Sequence, residues 1–412
     1  MKFCIVTTFF GSHSFGGDSV YADRLSGALL RRGHEVHAAF SSGAYHALPD
    51  RLPVRFYQPP PGLVLHDLGD GLAGRISAVW AHQTGRALWF RLRLERLFRH
   101  HRFDVIHVHN LSLLGAEEIC CLLKTQQALR VATLHDYWWV CPLSLLWENR
   151  RATCREPSCF ACNLRSRRPP QLWRRGAWFN EALGAMDAVF LPSRSAREIY
   201  RGRGLRCNRE FVLPGVLPGD WRSAADACEP NGKPYFAAAG RLVPEKGFDT
   251  LIPLMGHLPD VELRIAGAGP AESALRRAAK DLPNVRFLGL LDHQRIRLLF
   301  AGARAVLVPS RFPETFGLAA AEALSLGTPV IARNLGSLPE LIEATSGGFL
   351  YDEEEQLAEH MRTLAYDDRV RERLSRAARS GLPAVWFEEG HTEAYLSILE
   401  ACASGRRRGG TA

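Results

Sequence analysis

The stretch Val306 to Ala332, VLVPSRFPETFGLAAAEALSLGTPVIA, constrains this chain most. Val306–Val308 reads as a short β-branched strand, Pro309 and Pro313 stiffen a loop, Gly317 to Leu326 is helical in composition, and Val330–Ala332 re-enters a sheet. A connection of that length joins parallel strands, so the chain is of the α/β class. Glu314 falls in the loop and Glu322 eight residues later on the helix, where Leu318 to Leu326 holds no Lys or Arg. An i,i+4 salt bridge is therefore closed to Glu322 within its own helix. A carboxylate set among four alanines and three leucines is solvated, paired from elsewhere, or used to accept hydrogen bonds from ligand hydroxyls.

The E-x7-E pattern, in the setting PETFGLAAAEALSLGTPV, resembles the donor-sugar site of retaining glycosyltransferases of family 4. The resemblance implies that Glu322 accepts from ribose hydroxyls and Glu314 from the transferred sugar. It also implies that the backbone N–H groups of Phe316, Gly317 and Leu318 face phosphate or sugar. Physical chemistry agrees, since a charged acceptor contributes about 1.5–3 kcal/mol per hydrogen bond and a helix start offers unpaired N–H groups to an anion. Upstream, GRLVPEKG at 240–247 resembles the family's diphosphate-binding loop and places Arg241 and Lys246 on the diphosphate; read alone, either residue is equally a surface charge.

A series of βα units surrounds these motifs. Tyr235–Ala239, Val261–Ala266, Val285–Leu288 and Ala305–Val308 read as strands, each followed by a helical pattern. An earlier unit runs strand Lys2–Phe9, glycine-rich loop, helix Ser19–Arg32 and strand Glu35–Phe40. At 412 residues the chain has length for two domains. The resemblance implies a GT-B architecture: two Rossmann-like, doubly wound domains facing across a cleft, with a C-terminal helix crossing back. The expected division is 1–213 for the acceptor side, with a Cys- and Arg-rich insertion at 141–175, and 214–385 for the nucleotide-sugar side. The segment 386–403 is the crossover helix and 404–412 a disordered tail, while the Pro- and Gly-rich stretch 213–234 is the linker.

In the first half, the loop GSHSFGGDS lacks G-x-G-x-x-G spacing. Gly16 and Gly17 either make a tight turn or let the backbone approach a ligand, and the resemblance implies contact with donor phosphate or acceptor. FDVIHVHN puts His107 and His109 on one strand face. His135 follows the strand Val131 onward, at the carboxyl end where a parallel sheet meets ligands, or it is a satisfied structural histidine. TLHDYW resembles the family's active-site histidine segment, which implies that His135 touches the transferred sugar and supports charge developing at its anomeric carbon.

Charge divides unevenly: residues 1–212 carry 29 Lys and Arg against 17 Asp and Glu, and residues 213–412 carry 23 against 26. A basic first half suits an anionic membrane surface, a phosphorylated acceptor or nucleic acid, or simply reflects Arg on solvated faces. Trp80 to Arg102 reads as a basic amphipathic helix that lies on a membrane or packs on its own domain. No run is long enough to span a bilayer, and the first strand is too short for a signal peptide, so the expected location is cytoplasmic or peripheral on the inner face of a membrane. Cys141, Cys154, Cys159 and Cys162 cluster with spacings of twelve, four and two residues. In a reducing compartment these are either ligands of a structural zinc or unliganded thiols.

No D-x-D occurs in the chain, so the expectation is catalysis without a cofactor, the leaving diphosphate being neutralised by Arg241, Lys246 and helix N-termini. The expected activity is retaining hexosyl transfer from a UDP- or GDP-linked sugar to a saccharide or lipid-linked acceptor in polysaccharide synthesis, with no nucleic-acid partner. Alternatives that share the architecture are a sugar-nucleotide epimerase and a glycan phosphorylase. A basic membrane- or nucleic-acid-binding scaffold is the non-enzymatic one.

Overall fold

The computed structural model describes residues 1–14, 16–48, 53–54, 56–148, 152–174, 178–219, 221 and 233–409. The chain divides into two compact units. Residues 1–145, 156–216 and 387–412 make the first, and 146–155 with 217–386 the second.

The strands of the first unit are β1 (Lys2–Val6), β2 (Glu35–Phe40), β3 (Val64–Asp67), β4 (Val105–Val108) and β5 (Leu129–Thr133). After a small antiparallel pair, β6 (Trp147–Glu148) and β7 (Ala152–Thr153), come β8 (Ala188–Leu191) and β9 (Glu210–Val212). The sheet order is β3-β2-β1-β4-β5-β8-β9, with every pairing parallel. The inner strands are buried along their length and largely apolar, AVFL in β8 throughout and VIHV in β4 but for His107, because helices cover both faces and a two-residue polar alternation would bury charge. The second unit repeats the plan with β10 (Tyr235–Ala239), β11 (Glu262–Ala266), β12 (Val285–Gly289), β13 (Ala305–Val308), β14 (Val330–Arg333) and β15 (Gly348–Tyr351). Its order is β12-β11-β10-β13-β14-β15, again parallel throughout.

Both orders run outward from the first strand and then reverse. The reversal falls between β1 and β4 in one unit and between β10 and β13 in the other. At such a point the loops leaving the two strands turn to opposite sides and leave a crevice at their carboxyl ends. In the second unit those loops hold 240–247 and 309–317. They touch at Gly247, whose φ of 71° and approach to Pro309 admit no side chain: a Cβ there would lie 2.2 Å from the Pro309 carbonyl oxygen.

Three expectations change. The stretch 80–102 is two helices, Gly71–Thr84 and Trp89–His100, separated by Gly85 in the left-handed conformation and Leu88 at φ 43°. Phe90, Leu94, Leu97 and Phe98 of the second helix are buried in its own unit, the packing alternative. The insertion is split, because 146–155 belongs to the second unit, where the Thr153 hydroxyl donates to the Arg311 carbonyl at 3.4 Å. The final helix, Glu388–Gly409, runs well past 403 and belongs to the first unit. There Tyr395 meets His107 at 2.9 Å, and Arg406 donates to the carbonyls of Gln127 and Ala128 at 3.1 and 2.9 Å. Those anchors keep 404–409 helical where a disordered tail was expected. Residues 410–412, and 220 and 222–232 of the expected linker, lie outside the described residues.

Replacing Gly247 by Ala forces a side chain into that contact and is expected to destabilise the second unit by about 1–3 kcal/mol. Urea unfolding followed by far-UV circular dichroism measures it; an unchanged midpoint would mean the two loops can separate freely.

Candidate active site

The loop after β10 closes as a one-turn 3-10 helix, Pro244–Lys246, which aims Lys246 across the strand reversal. Its ammonium lies 2.6 Å from Glu314 Oε1 in the loop after β13, and the Ser310 hydroxyl donates to the same oxygen at 2.6 Å. Lys246 also sits 5.1 Å above the Phe312 ring. With the Glu314 side chain only 13% exposed and that of Lys246 28%, the pair is shielded enough to need its partner yet open enough to exchange it. The Glu314 backbone is pinned as well, its carbonyl accepting from Ser337 N at 3.0 Å.

Arg241 lies on the same loop, 3.6 Å from Glu245. Glu245 in turn receives Arg311 N on its carbonyl at 2.8 Å, so the loops are stitched by backbone and charge together. Glu322 is buried on the helix Leu318–Ser325, whose alanine-rich surface lets it lie close on the sheet. Gly317 caps that helix at φ 79° without a side-chain cap, leaving Leu318 to begin the first turn. Phe316 is buried with its ring against Trp386, centroids 6.0 Å apart. Beside the β13 loop a cavity of about 400 Å3 is lined by Trp147, Thr153, Arg311, Arg333, Asn334, Leu335 and Asp352.

The corresponding crevice of the first unit gathers a different chemistry. His135 Nε2 lies 2.8 Å from His109 Nδ1, the rings nearly parallel, and Tyr21 packs on His135 at 4.8 Å. Burial lowers the His135 pKa to about 3 and takes His109 well below the usual imidazole range, with His107 and His135 adding to the second effect. Both rings are neutral at pH 7. Asp18, in the first turn of the helix Gly17–Arg31, accepts from Asn110 at 2.9 Å across the β1/β4 reversal. Burial raises its pKa to about 7, and Asp136 adds to that; burial raises Asp136 itself to about 6. Gly16 caps the helix at φ 99°, a conformation that costs a side chain on the order of 1–3 kcal/mol. Gly17 is ordinary helix with nothing within 4 Å of an added Cβ.

Asp18, Asn110, Asp136 and Ser310 escaped the motif reading. Asn110, Asp136 and Ser310 lie just past a strand's carboxyl end, and Asp18 directly follows the glycine pair. Position in an α/β sheet is a signal that residue type alone does not carry.

The cysteines come together less. Cys154 falls in the second unit, and among the described residues Cys141, Cys159 and Cys162 are not part of any group of three ligand atoms within 4.8 Å. Cys159 and Cys162 share the short helix Cys159–Arg165. Arg174, in the Arg-rich insertion, is boxed by Trp138 and Phe179, its guanidinium 4.6 and 4.4 Å from their rings, and donates to the Trp138 carbonyl. Arg155, Arg165, Arg167 and Arg168 are exposed; Arg150, Arg151 and Arg175 lie outside the described residues.

Residues 15–216 match the family described as Glycosyltransferase Family 4, and residues 221–381 match Glycosyl transferases group 1. The chain belongs to the group 1, family 4 glycosyltransferases. Among curated relatives of this glycosyltransferase, a GDP-mannose-dependent phosphatidylinositol monomannoside mannosyltransferase of Corynebacterium glutamicum is 34% identical over 180 residues, which is 41% of this chain and 47% of that one. D-inositol 3-phosphate glycosyltransferase of Mycobacterium tuberculosis is 34% identical over 226 residues, 49% of this chain and 46% of that one. The chain thus spans about half the length, or less, of the curated relatives it matches. Its fold is GT-B, shared along almost the whole chain with sucrose-phosphate synthase of Thermosynechococcus elongatus (TM-score 0.75, 19% identity, 98% of this chain and 100% of that one). Anabaena HepE, solved with UDP-glucose, has a TM-score of 0.68 at 17% identity over 98% of this chain and 100% of that one.

The carboxyl pKa shifts carry a sign that can be measured. A folded Asp18 titrating near 7 against about 4 unfolded contributes stability at low pH that is lost as the pH rises through that window. Asn mimics the protonated side chain, so the stability of Asp18→Asn relative to the parent is expected to climb between pH 4 and 7 by at most about 1.4 kcal/mol per pH unit. A difference independent of pH, from denaturant melts at several pH values, would show that Asp18 is ordinarily ionised.

Proposed function

We propose that this glycosyltransferase moves a hexose-type sugar from a UDP- or GDP-linked donor to a saccharide or lipid-linked acceptor, with retention and without a catalytic metal. The observation that carries the reading is the Lys246–Glu314 pair at the strand reversal of the second sheet. A diphosphate attracts the ammonium more strongly than a single carboxylate does, while sugar hydroxyls supply Glu314 with replacement donors. Donor binding therefore exchanges one ion pair for two sets of charge-assisted hydrogen bonds, and Ser310 keeps Glu314 oriented through the exchange. Arg241 reaches the diphosphate from the same loop. Glu322 takes the ribose hydroxyls, and the N–H groups at Phe316, Gly317 and Leu318 face phosphate or sugar.

Leaving-group charge is then met by cations and backbone dipoles already in place, which suits a chain without a D-x-D motif. His135 is neutral across the working pH range, so it offers a hydrogen bond and a dipole to the sugar rather than a proton to the leaving group. The leaving phosphate itself takes the acceptor proton in a front-face displacement, consistent with retention. Gly16 and Gly17 leave the backbone bare where donor or acceptor approaches. The four-cysteine cluster remains a proposal only as a site that assembles around zinc.

The acceptor side points to a bilayer. On the helix Gly71–Thr84, Leu72, Ile76, Val79 and Trp80 are all exposed on one side, and Trp89 and Leu92 are exposed on the next helix among Arg91, Arg93, Arg96 and Arg99. An apolar strip flanked by guanidinium groups fits an anionic lipid surface. No helix among the described residues is long and apolar enough to cross a membrane, so attachment would be peripheral.

Lys246→Ala and Glu322→Ala are expected to lower kcat/KM at least about 100-fold. Gly17→Ala, which meets nothing in the fold, is expected to lower it while leaving the melting temperature unchanged. Turnover equal to the parent in either charge variant would overturn the donor site. A panel of UDP- and GDP-sugars, scored by rise in melting temperature, identifies base and sugar; Lys246→Ala should lose the rise. For the membrane surface, Ile76→Glu/Val79→Glu is expected to abolish co-flotation with phosphatidylglycerol vesicles. Equal flotation of the variant, or none by the parent, would remove the bilayer from the proposal.

A further inference from the structure

Away from both crevices, three imidazoles meet on one face at the edge of the first sheet. His37 lies on β2 and His66 on β3, and register places them as diagonal neighbours, since His37 pairs with Val64 two residues before His66. His101 arrives from the end of the helix Trp89–His100. One nitrogen from each ring lies within 4.8 Å of the other two. His37 is buried, the others half-buried, and Phe103 closes the floor.

The hydrogen bonds assign the lone pairs. His37 Nε2 lies 2.8 Å from Glu35 Oε1, and a carboxylate can only accept, so Nε2 carries the proton and Nδ1 is a lone-pair donor. That Nδ1 faces His66 Nε2 at 2.8 Å. The Lys2 ammonium can only donate, so His101 Nδ1, at 3.1 Å from it, also presents a lone pair. Lys2 meanwhile holds Glu35 at 2.8 Å.

We propose that His37, His66 and His101 form a three-imidazole site for a divalent cation of the zinc class, with Glu35 orienting His37 and a fourth position open to water. A carboxylate holding the far nitrogen of a ligating imidazole fixes the ring for the metal. Around a cation that takes imidazole at about 2.0–2.1 Å the His37 and His66 nitrogens, 2.8 Å apart, open slightly, and the His101 nitrogen, within 4.8 Å of both, adjusts to meet it. Binding moves the His66 proton from Nε2 to Nδ1, a tautomer change with no net proton loss. It also takes the His101 lone pair from Lys2, which stays with Glu35. Lys2 is thus a built-in competitor whose charge weakens the site. The cation would tie edge strand β3 and the end of the helix Trp89–His100 to β2.

The test uses the full chain, stripped with chelator and titrated with Zn2+ against a chromophoric competitor, then with Co2+ for its visible spectrum. Expected are one bound equivalent, a Co2+ spectrum without thiolate charge-transfer bands, and a melting temperature that rises with Zn2+. The affinity should fall at least about 100-fold in His66→Gln/His101→Gln and about 10- to 100-fold in Glu35→Gln. Lys2→Met should tighten it by about tenfold, since it removes a like charge within a few ångströms. Because Lys2→Met leaves all three imidazoles in place, it reads the site even where the double variant folds poorly. No stoichiometric binding by the parent, binding that survives the double variant, or a spectrum of thiolate bands lost in Cys159→Ser/Cys162→Ser would overturn the proposal.

Discussion

A parallel sheet whose strand order reverses beside its first strand leaves two loops diverging at one point, and the chemistry of this protein collects there. In the second unit the loops after β10 and β13 carry opposite charges that meet as Lys246 and Glu314, 2.6 Å apart. Everything around the pair serves its position. Gly247 lets the loops touch, Ser310 shares the carboxylate, and Ser337 and Arg311 secure the backbones on either side. Two groups half-withdrawn from water must be neutralised by something, and that requirement makes the pair a structural tie between the two loops.

The first unit uses the same reversal with the opposite electrostatic strategy. Instead of pairing charges, it disfavours them: His109 and His135 are neutral because burial disfavours imidazolium, and burial raises Asp18 to about 7 and Asp136 to about 6. The divergence of the two units is one of solvation, built on sheets whose strand order reverses at the same place.

Outside the crevices the arginines of the first unit serve in several ways. Some, such as Arg174, are enclosed by aromatic rings and act as packing groups. Others, such as Arg406, cap carbonyls and hold a helix end. Arg130 and Arg201 are paired with Asp187 and Glu210, and Arg91, Arg93, Arg96 and Arg99 lie among exposed apolar residues on the helix of 89–100. A net charge counted from composition treats all of these alike.

Much of the second unit was legible before folding. The strands at 235–239 and 305–308 were read with the bounds they have, because short apolar runs between glycine- and proline-bearing loops admit few alternatives, and the E-x7-E and GRLVPEKG motifs named the residues of its crevice. Local sequence also determined that β13 continues into a buried alanine-rich helix, since those residues can satisfy no other element. It did not determine partners distant along the chain. That Lys246 answers Glu314, that Asp18 answers Asn110, and that His37, His66 and His101 meet is decided by strand order and register, over separations of 68, 92 and up to 64 residues. Nor does cysteine spacing determine which thiols meet, because the chain between Cys141 and Cys159 passes through the other unit. Periodicity and spacing speak for neighbours within a turn or a strand; burial, and the pKa shifts that follow from it, exist only once distant strands lie side by side.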